Sequence, residues 1–378
     1  MVKALVISIR VHIFGEGPTT LTMRLLPLMR SLESIGFDCR LVSPIKWGSV
    51  VGNRTGNIFS VLLTHPIAEY AKTLSACPDF VIISKTSTPQ MRIFQKILKA
   101  KKVKNLFDLS DALFVPSTKL LGVTVRDASY NLEKIIKDAD FVTTNGHYLL
   151  DFVREYNEKS TFIHDPIDCT LFYPKAKGMH DYIIIGWEGN PLAHYDNLSL
   201  LVKPLERLSC EYKLRLKLVS CFGDARVKNM FKRLEPSIDI DYGSMLWLPV
   251  RDFVESISEF DIMVAPIQKT AWYEGKSALR VGIGMAMGIP VVASPVGEQK
   301  YVVKHAFNGF IAKDEDDWYR YLKLLIENKS LRDSLSSNGR QTANNELSLP
   351  VCGNKLLRIL AGLEFDNFPN FNHKLDVA

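Results

Sequence analysis

The sequence predicts an α/β protein built from two doubly wound, Rossmann-like domains. Three observations carry that reading. The chain has 378 residues, more than one ordinary doubly wound domain holds, so two domains of roughly 170 to 190 residues each are expected. Short apolar runs alternate with helical periodicity along its length, the pattern of parallel strands joined by crossover helices. The alternation then starts afresh near Tyr182, after the aperiodic segment Tyr173-Pro174-Lys175-Ala176-Lys177-Gly178, which reads as a linker.

In the first half a strand over 3–9 leads into the loop Phe14-Gly15-Glu16-Gly17-Pro18. A helix from Leu21 to Ile35, capped by Thr19 or Thr20, and a strand over Arg40 to Pro44 complete a βαβ unit. Further strands are expected at Phe80 to Ser84, Val103 to Phe107, Phe141 to Thr144 and Thr161 to His164, with helices near 88–100, 126–138 and 147–156. In the second half, strand 182–187 meets the loop Glu188-Gly189-Asn190-Pro191, followed by helix 196–208 and strands near 214–219, 238–241, 262–265 and 290–294. Helices near 315–327 and 330–345 follow. The domains are set at 1–174 and 179–349, with a last helix, 350–363, crossing back onto the first domain and a tail at 364–378.

Composition narrows the function classes. Hydrophobic residues are 47% and charged residues 23%, which fits a globular enzyme and argues against disorder. No apolar run reaches the length of a membrane span or a signal h-region, so a cytoplasmic protein, or one peripheral to the inner membrane face, is expected. Six scattered cysteines without C-x-x-C or Cys/His spacing read as reduced thiols and give no metal site. Up to Lys177 there are 23 Lys and Arg against 16 Asp and Glu, and after it 24 against 25, so the basic surplus lies in the first half. Much of it falls in Arg92 to Lys104, where Ile93, Ile97 and Leu98 recur at helical spacing among lysines. This is either a solvated helix face or a contact with anionic lipid or an anionic acceptor. Nucleic acid is disfavoured, since no reading motif and no interleaved exposed aromatics accompany the charge.

The stretch Tyr273 to Asp314 is the richest in chemistry. Gly275-Lys276-Ser277 is expected to open a helix whose free N–H groups, with Lys276 and Arg280 four apart on one face, attract phosphate. Gly288-Ile289-Pro290 stops it, Val291-Val292-Ala293-Ser294 supplies a buried strand, and Pro295-Val296-Gly297 turns at its carboxyl end, where ligands sit in open α/β sheets.

These motifs carry a resemblance. Gly275-Lys276-Ser277-Ala278-Leu279-Arg280, then Met285 to Gly297, then Asn308-Gly309-Phe310, resemble glycosyltransferase family 4, in its bacterial branch with a G-K-x-x-x-K donor motif; Arg280 stands at the second Lys. Gly186-Trp187-Glu188-Gly189-Asn190-Pro191 is similar to the family's G-W-x-G-S/N-P, Phe107-Asp108-Leu109-Ser110-Asp111-Ala112 to its F-D-x-D-D-A, and Phe260-Asp261-Ile262 to its F-D-I. The resemblance implies a GT-B fold, two Rossmann-like domains facing each other across a cleft. It also implies transfer of a sugar from a nucleotide diphosphate sugar, with retention of configuration and no cofactor or metal. The implied acceptor is a saccharide or lipid-linked carrier of surface polysaccharide, lipopolysaccharide or glycoprotein glycan synthesis.

Residue by residue, Lys276, Arg280 and the N–H groups of Ser277 and Ala278 are assigned to the diphosphate, against the alternative of exposed helix cations. Gly186, Gly189 and Asn190 are the close-approach loop, or a plain βα turn. Gly297 and Glu298 face the donor, Glu298 accepting from ribose or sugar hydroxyls or else stabilising its own helix dipole. In the first domain Gly15 and Gly17 approach donor or acceptor, or merely enter a helix. Asp111, with Asp108, is the acceptor-orienting or weakly basic carboxylate, against a helix-capping role. Lys85 and Arg126 are secondary phosphate or acceptor contacts. His147 and His164 read as satisfied loop histidines, and Trp187, Trp272 and Trp318 as packing.

The family's E-x7-E pattern is broken. Its first position falls on Gly275 and its second on Ile283, which cannot accept a hydrogen bond from ribose. The Arg and Lys that often follow the first strand of the donor domain are also missing, with Trp187, Asn190 and His194 in their place. Two readings stay open: an active retaining glycosyltransferase with Glu298 compensating at the ribose, or a non-catalytic GT-B partner or scaffold subunit. A Rossmann dehydrogenase is a distant third, since neither glycine loop gives G-x-G-x-x-G.

Overall fold

The computed structural model describes residues 10–14, 21–42, 65–85, 87–115, 119–120, 123–124, 128–178, 180–221, 223–243 and 250–362. The expected strand over 3–9 and the site candidates Gly15, Gly17 and Arg126 lie outside them. The chain divides into two compact units, Met1–Pro166 with Leu349–Ala378, and Ile167–Ser348.

In the first unit, β1 (Arg10–Phe14), β2 (Asp38–Val42), β3 (Phe80–Ser84), β4 (Lys104–Leu109), β7 (Phe141–Thr144) and β8 (Ser160–Phe162) form one sheet in the order β2-β1-β3-β4-β7-β8. All its pairings are parallel. Between β4 and β7 the chain makes a small antiparallel pair, β5 (Lys119–Leu120) and β6 (Val123–Thr124). β3, FVIIS, is buried at every position, as a strand covered by helices on both faces must be. The following helix, Pro89–Ala100, is capped by Thr88, whose hydroxyl accepts from Met91 N–H at 3.2 Å, with proline in its first turn. It buries Met91, Phe94, Gln95 and Leu98 and leaves Ile93 and Ile97 exposed at 61% and 38%. A single turn of wider helix, Leu21–Leu25, precedes the helix Leu26–Glu33. Leu28 and Leu32 of that helix share a core with Cys352, Leu356, Leu357 and Leu360 of the last helix, Leu349–Ala361. The two helices approach closely enough that a Cβ at Gly353 would lie 2.6 Å from Ser31 Oγ.

The second unit repeats the plan with β9 (Ile183–Glu188), β10 (Leu214–Val219), β11 (Asp239–Asp241), β12 (Ile262–Ala265), β13 (Val291–Ala293) and β14 (Phe310–Ile311). Their order is β11-β10-β9-β12-β13-β14, with every pairing parallel. The direction of strand addition reverses between β9 and β12, and the crevice at such a switch point is where α/β sheets bind ligands. Gly186 is a residue of β9, not of the loop after it. A Cβ there would sit 2.0 Å from the ring of Phe260, so its missing side chain makes room for core packing and not for a nucleotide. Residues 167–172 are tied into this unit: Ile167 N–H donates to Leu347 C=O at 2.9 Å, and Arg340 donates to Phe172 and Cys169 carbonyls at 2.7 and 3.0 Å.

The helices His65–Ser75, Ala225–Phe231 and Val250–Ser258 and the short β14 were not read from the sequence. All six cysteines are free thiols.

Candidate functional site

The switch point of the second unit gathers most of the donor-side candidates, in an arrangement that differs from the expected helix face. The short helix Ala271–Glu274 ends at Gly275, and the next, Leu279–Ala286, starts only at Leu279 with Ala278 at its N-cap. Lys276 and Ser277 therefore lie in the link before the helix, while Arg280 lies in its first turn. No side chain caps that helix, although Ser277 Oγ accepts from Leu279 N–H at 3.4 Å. An uncapped helix start leaves first-turn N–H groups without intrahelical partners, and such an end can receive a phosphate.

The link is held down by the loop after β13. Glu298 N–H donates to Lys276 C=O at 2.8 Å, and Gly297 N–H to Glu274 Oε2 at 3.3 Å. Gly297 has φ +66°, and a Cβ on it would lie 2.6 Å from the Lys276 carbonyl oxygen, so only glycine permits this approach. Lys300 fixes the other end by its ion pair with Glu274 at 2.8 Å. Glu298 itself is 2% exposed, which leaves little of its carboxylate open to a ribose or sugar hydroxyl. Ile283 is fully buried in the helix core.

Across the switch point, β9 ends at Glu188, and Gly189 turns away with φ +146°. Arg280 fills the space beside it: a Cβ on Gly189 would lie 2.7 Å from a terminal guanidinium nitrogen. Arg280 Nε donates to the Glu188 carbonyl at 2.8 Å and lies 3.3 Å from Glu188 Oε1, with its guanidinium carbon 5.3 Å from the Trp187 ring centroid. Burial raises the Glu188 pKa, with Arg280 opposing and not cancelling it. Among the described residues, three buried polar atoms at the ends of β9 and β10 have no hydrogen-bond partner: Trp187 Nε1, Glu188 Oε2 and Ser220 Oγ. Ser220 is also in the left-handed region, φ +64°, the kind of local cost that gathers at functional strand ends. Asn190 is exposed on the same loop.

His194 completes the group. Burial, then Arg280, then Lys276 push its pKa down to about 2. The ring lies 6.1 Å from Tyr273 and 6.0 Å from Trp187, centroid to centroid. Lys276 Nζ also lies 4.9 Å from the Trp272 ring. Beside this cluster, a groove of about 750 Å³ is lined by Ile267, Gln268, Ser294, Val296, Lys313 and Trp318 among others. None of Lys276, Arg280 or Gly189 borders it.

In the first unit the carboxylates part company. Asp108 is buried, and Arg24 grips it at 2.6 and 2.9 Å, while the hydroxyls of Thr143 and Ser84 donate at 2.8 and 3.1 Å. Burial alone would raise its pKa, but Arg24 and these hydroxyls hold it below the usual carboxylate range. Such an oxygen pair has no capacity left to orient or deprotonate an acceptor, so Asp108 is a structural residue. Asp111 instead pairs with Lys85, bringing together two candidates that lay 26 positions apart. Lys85 has φ +59°, again at a strand end. Burial lowers the His164 pKa to about 4, and its ring packs 5.1 Å from Phe162. Trp187 and Trp318 are core residues.

Glu188, Tyr273 and Asn197 are not site candidates in the sequence, and His194 enters there only as standing where the donor loop lacks its cations. The one available signal was a charged residue closing an otherwise apolar strand, Ile183-Ile184-Ile185-Gly186-Trp187-Glu188.

Residues 183–328 match the family model described as glycosyl transferases group 1. The match contains the whole cluster. The chain is a transferase with a GT-B fold. Its structure is similar to a glycosyltransferase from Rickettsia africae (TM-score 0.70, 15% identity, 94% of this chain and 98% of that one). It is also similar to sucrose-phosphate synthase from Thermosynechococcus elongatus (0.71, 12%, 94% and 98%). A third likeness is to HepE from Anabaena in complex with UDP-glucose (0.64, 14%, 94% and 100%). No curated protein sequence matches the chain significantly. Among the described residues no helix is long and apolar enough to cross a membrane, and no group of three or more His, Cys, Asp or Glu is placed to hold a metal ion.

Proposed function

We propose that this chain transfers a sugar from a nucleoside diphosphate sugar to a saccharide or lipid-linked acceptor, as a retaining, metal-independent enzyme of family 4. The observation that carries the reading is the meeting of Lys276, Arg280 and the uncapped start of the helix Leu279–Ala286 at the carboxyl end of β9. Two fixed cations and aligned N–H groups neutralise a leaving diphosphate without a divalent ion. The described likeness to a protein holding UDP-glucose supports a donor of this class. On the acceptor side, the Lys85–Asp111 pair at the ends of β3 and β4 is the candidate that positions the incoming hydroxyl.

Calorimetric titration with UDP, ADP, GDP and TDP tests the donor site. One of them binds wild type, and Lys276→Ala or Arg280→Ala weakens it about tenfold or more, the worth of one charge-assisted contact. Product analysis by NMR then shows the donor's anomeric configuration kept. A non-catalytic GT-B partner is the second reading, favoured by buried Ile283 at the ribose position and by locked Asp108; it predicts that wild type binds none of the four.

The reading extends to the membrane. Ile93 and Ile97 stand exposed on Pro89–Ala100 with exposed Lys96, Lys99, Lys101 and Lys102 around them, an apolar centre ringed by cations that suits an anionic lipid surface. Sedimentation with phosphatidylglycerol vesicles, and its loss in Ile93→Glu, checks this contact.

A further inference from the structure

His194 sits on the helix Pro191–Leu198, yet its own backbone leaves helical geometry, with φ −125° and ψ 15°. Residues in this sparsely allowed bridge region concentrate at active sites. At this position the imidazole packs against Tyr273 and against Trp187, whose ring Arg280 also faces.

The hydrogen bonds around it fix which ring nitrogen carries the proton. The backbone N–H of Gln268 donates to Asn197 Oδ1 at 2.8 Å. A backbone N–H can only donate, so the oxygen of the Asn197 amide faces Gln268 and its nitrogen faces the other way. That nitrogen lies 2.8 Å from His194 Nδ1. An amide nitrogen also only donates, so Nδ1 is the accepting, unprotonated nitrogen and the proton of the neutral ring is on Nε2. Asn197 is fully buried, so this orientation is enforced by the core. Among the described residues Nε2 has no hydrogen-bond partner.

Resting on the donor-site reading above, we propose that His194 is a ligand-binding residue of that site. Its Nε2–H, oriented by Asn197, donates a hydrogen bond to a phosphate or sugar oxygen of the nucleoside diphosphate sugar held at Lys276 and Arg280. The residue replaces, with a neutral donor, one of the cations that the loop after β9 lacks. A neutral ring suits the place, because a third cation beside Lys276 and Arg280 would repel both, and the depressed pKa keeps the tautomer unchanged throughout the working pH range.

The test pairs two variants with one spectroscopic readout on the full chain. His194→Phe keeps a flat ring against Tyr273 and removes the donor; His194→Gln returns an N–H near the Nε2 position. With whichever of UDP, ADP, GDP or TDP binds wild type, His194→Phe weakens binding about tenfold or more, and His194→Gln stays within about threefold. In wild type, the ¹⁵N resonance of His194 shows Nε2 protonated and moves when that nucleotide saturates the protein, a response that a packing role would not give. Equal affinity of His194→Phe and wild type, or equal losses in both variants, overturns the proposal and leaves the donor reading standing. If His194→Phe does not fold, an unmoved ¹⁵N resonance in wild type overturns it alone. Absence of nucleotide binding by wild type removes the donor reading, and this proposal with it.

Discussion

Each unit sets an arginine against a buried carboxylate at the end of a central strand, and the two pairs are built differently. In the first unit Arg24 and Asp108 are both enclosed, and every bond they offer is taken: Asp165 and the Ile163 carbonyl hold the far side of the guanidinium at 3.0 and 2.9 Å. In the second, Glu188 meets Arg280 at 3.3 Å through one oxygen and leaves the other without a partner. A saturated pair fixes a sheet, whereas an unsaturated one beside a glycine turn leaves a buried acceptor without a donor, at a cost in stability. The same residue types therefore form a saturated pair in one unit and an unsaturated one in the other, and only the count of completed hydrogen bonds tells them apart.

The sharpest way to break the contrast is Arg24→Met. It leaves Asp108 buried without its cation and should cost roughly 3–5 kcal/mol by urea denaturation. Acid separates the two pairs as well. Because the folded pKa of Asp108 lies below its unfolded value, its stabilisation is complete above the unfolded value and is lost as pH falls through the folded one. Glu188 has the opposite sign: its folded pKa is raised, so its cost appears as pH rises through the unfolded value and grows until the folded value is passed.

Gly189→Ala comes next. It must strain a backbone at φ +146° and press on Arg280, so a loss of about 1–2 kcal/mol is expected in thermal or urea unfolding, together with weaker nucleotide binding. Smallest is Glu188→Gln, which removes a buried charge and should leave stability within about 1 kcal/mol of wild type or raise it near pH 7. A loss as large as that of Arg24→Met would erase the distinction between the pairs.

Much of this architecture was legible in the chain. The strands Phe80–Ser84 and Ile262–Ala265 fall where apolar runs placed them, because a strand buried on both faces reads as an apolar run, and Leu214–Val219 was legible through the alternation of Leu214, Leu216 and Leu218 with Arg215 and Lys217. Lys276, Arg280 and Gly297 could be singled out because glycine and charge next to a short strand are rare enough to notice. The helix start was misplaced because Gly275 closes one short helix before Leu279 opens the next, and a glycine can do either. His194 could be read from sequence only as standing where a cation is missing, since its meaning depends on Asn197, Gln268, Lys276 and Arg280, partners up to 86 positions away. Asp108 and Asp111 looked alike in sequence, three residues apart; Arg24, 84 positions from Asp108, is what separates them.

The last helix has a consequence for the birth of the protein. Leu349–Ala361 supplies Cys352, Leu356, Leu357 and Leu360 to the core beneath β3 and β4, so the unit whose strands precede Ile167 is finished by residues translated only after the whole of the other unit. All of Ile167–Ser348 is translated in between, on the order of ten to forty seconds at ~5–20 residues per second. The middle unit has every strand of its own sheet before the opening one has its full core. Nascent-chain folding should thus run from the middle of the sequence outward, and a stop codon at Leu349 should strand the first unit while sparing the second.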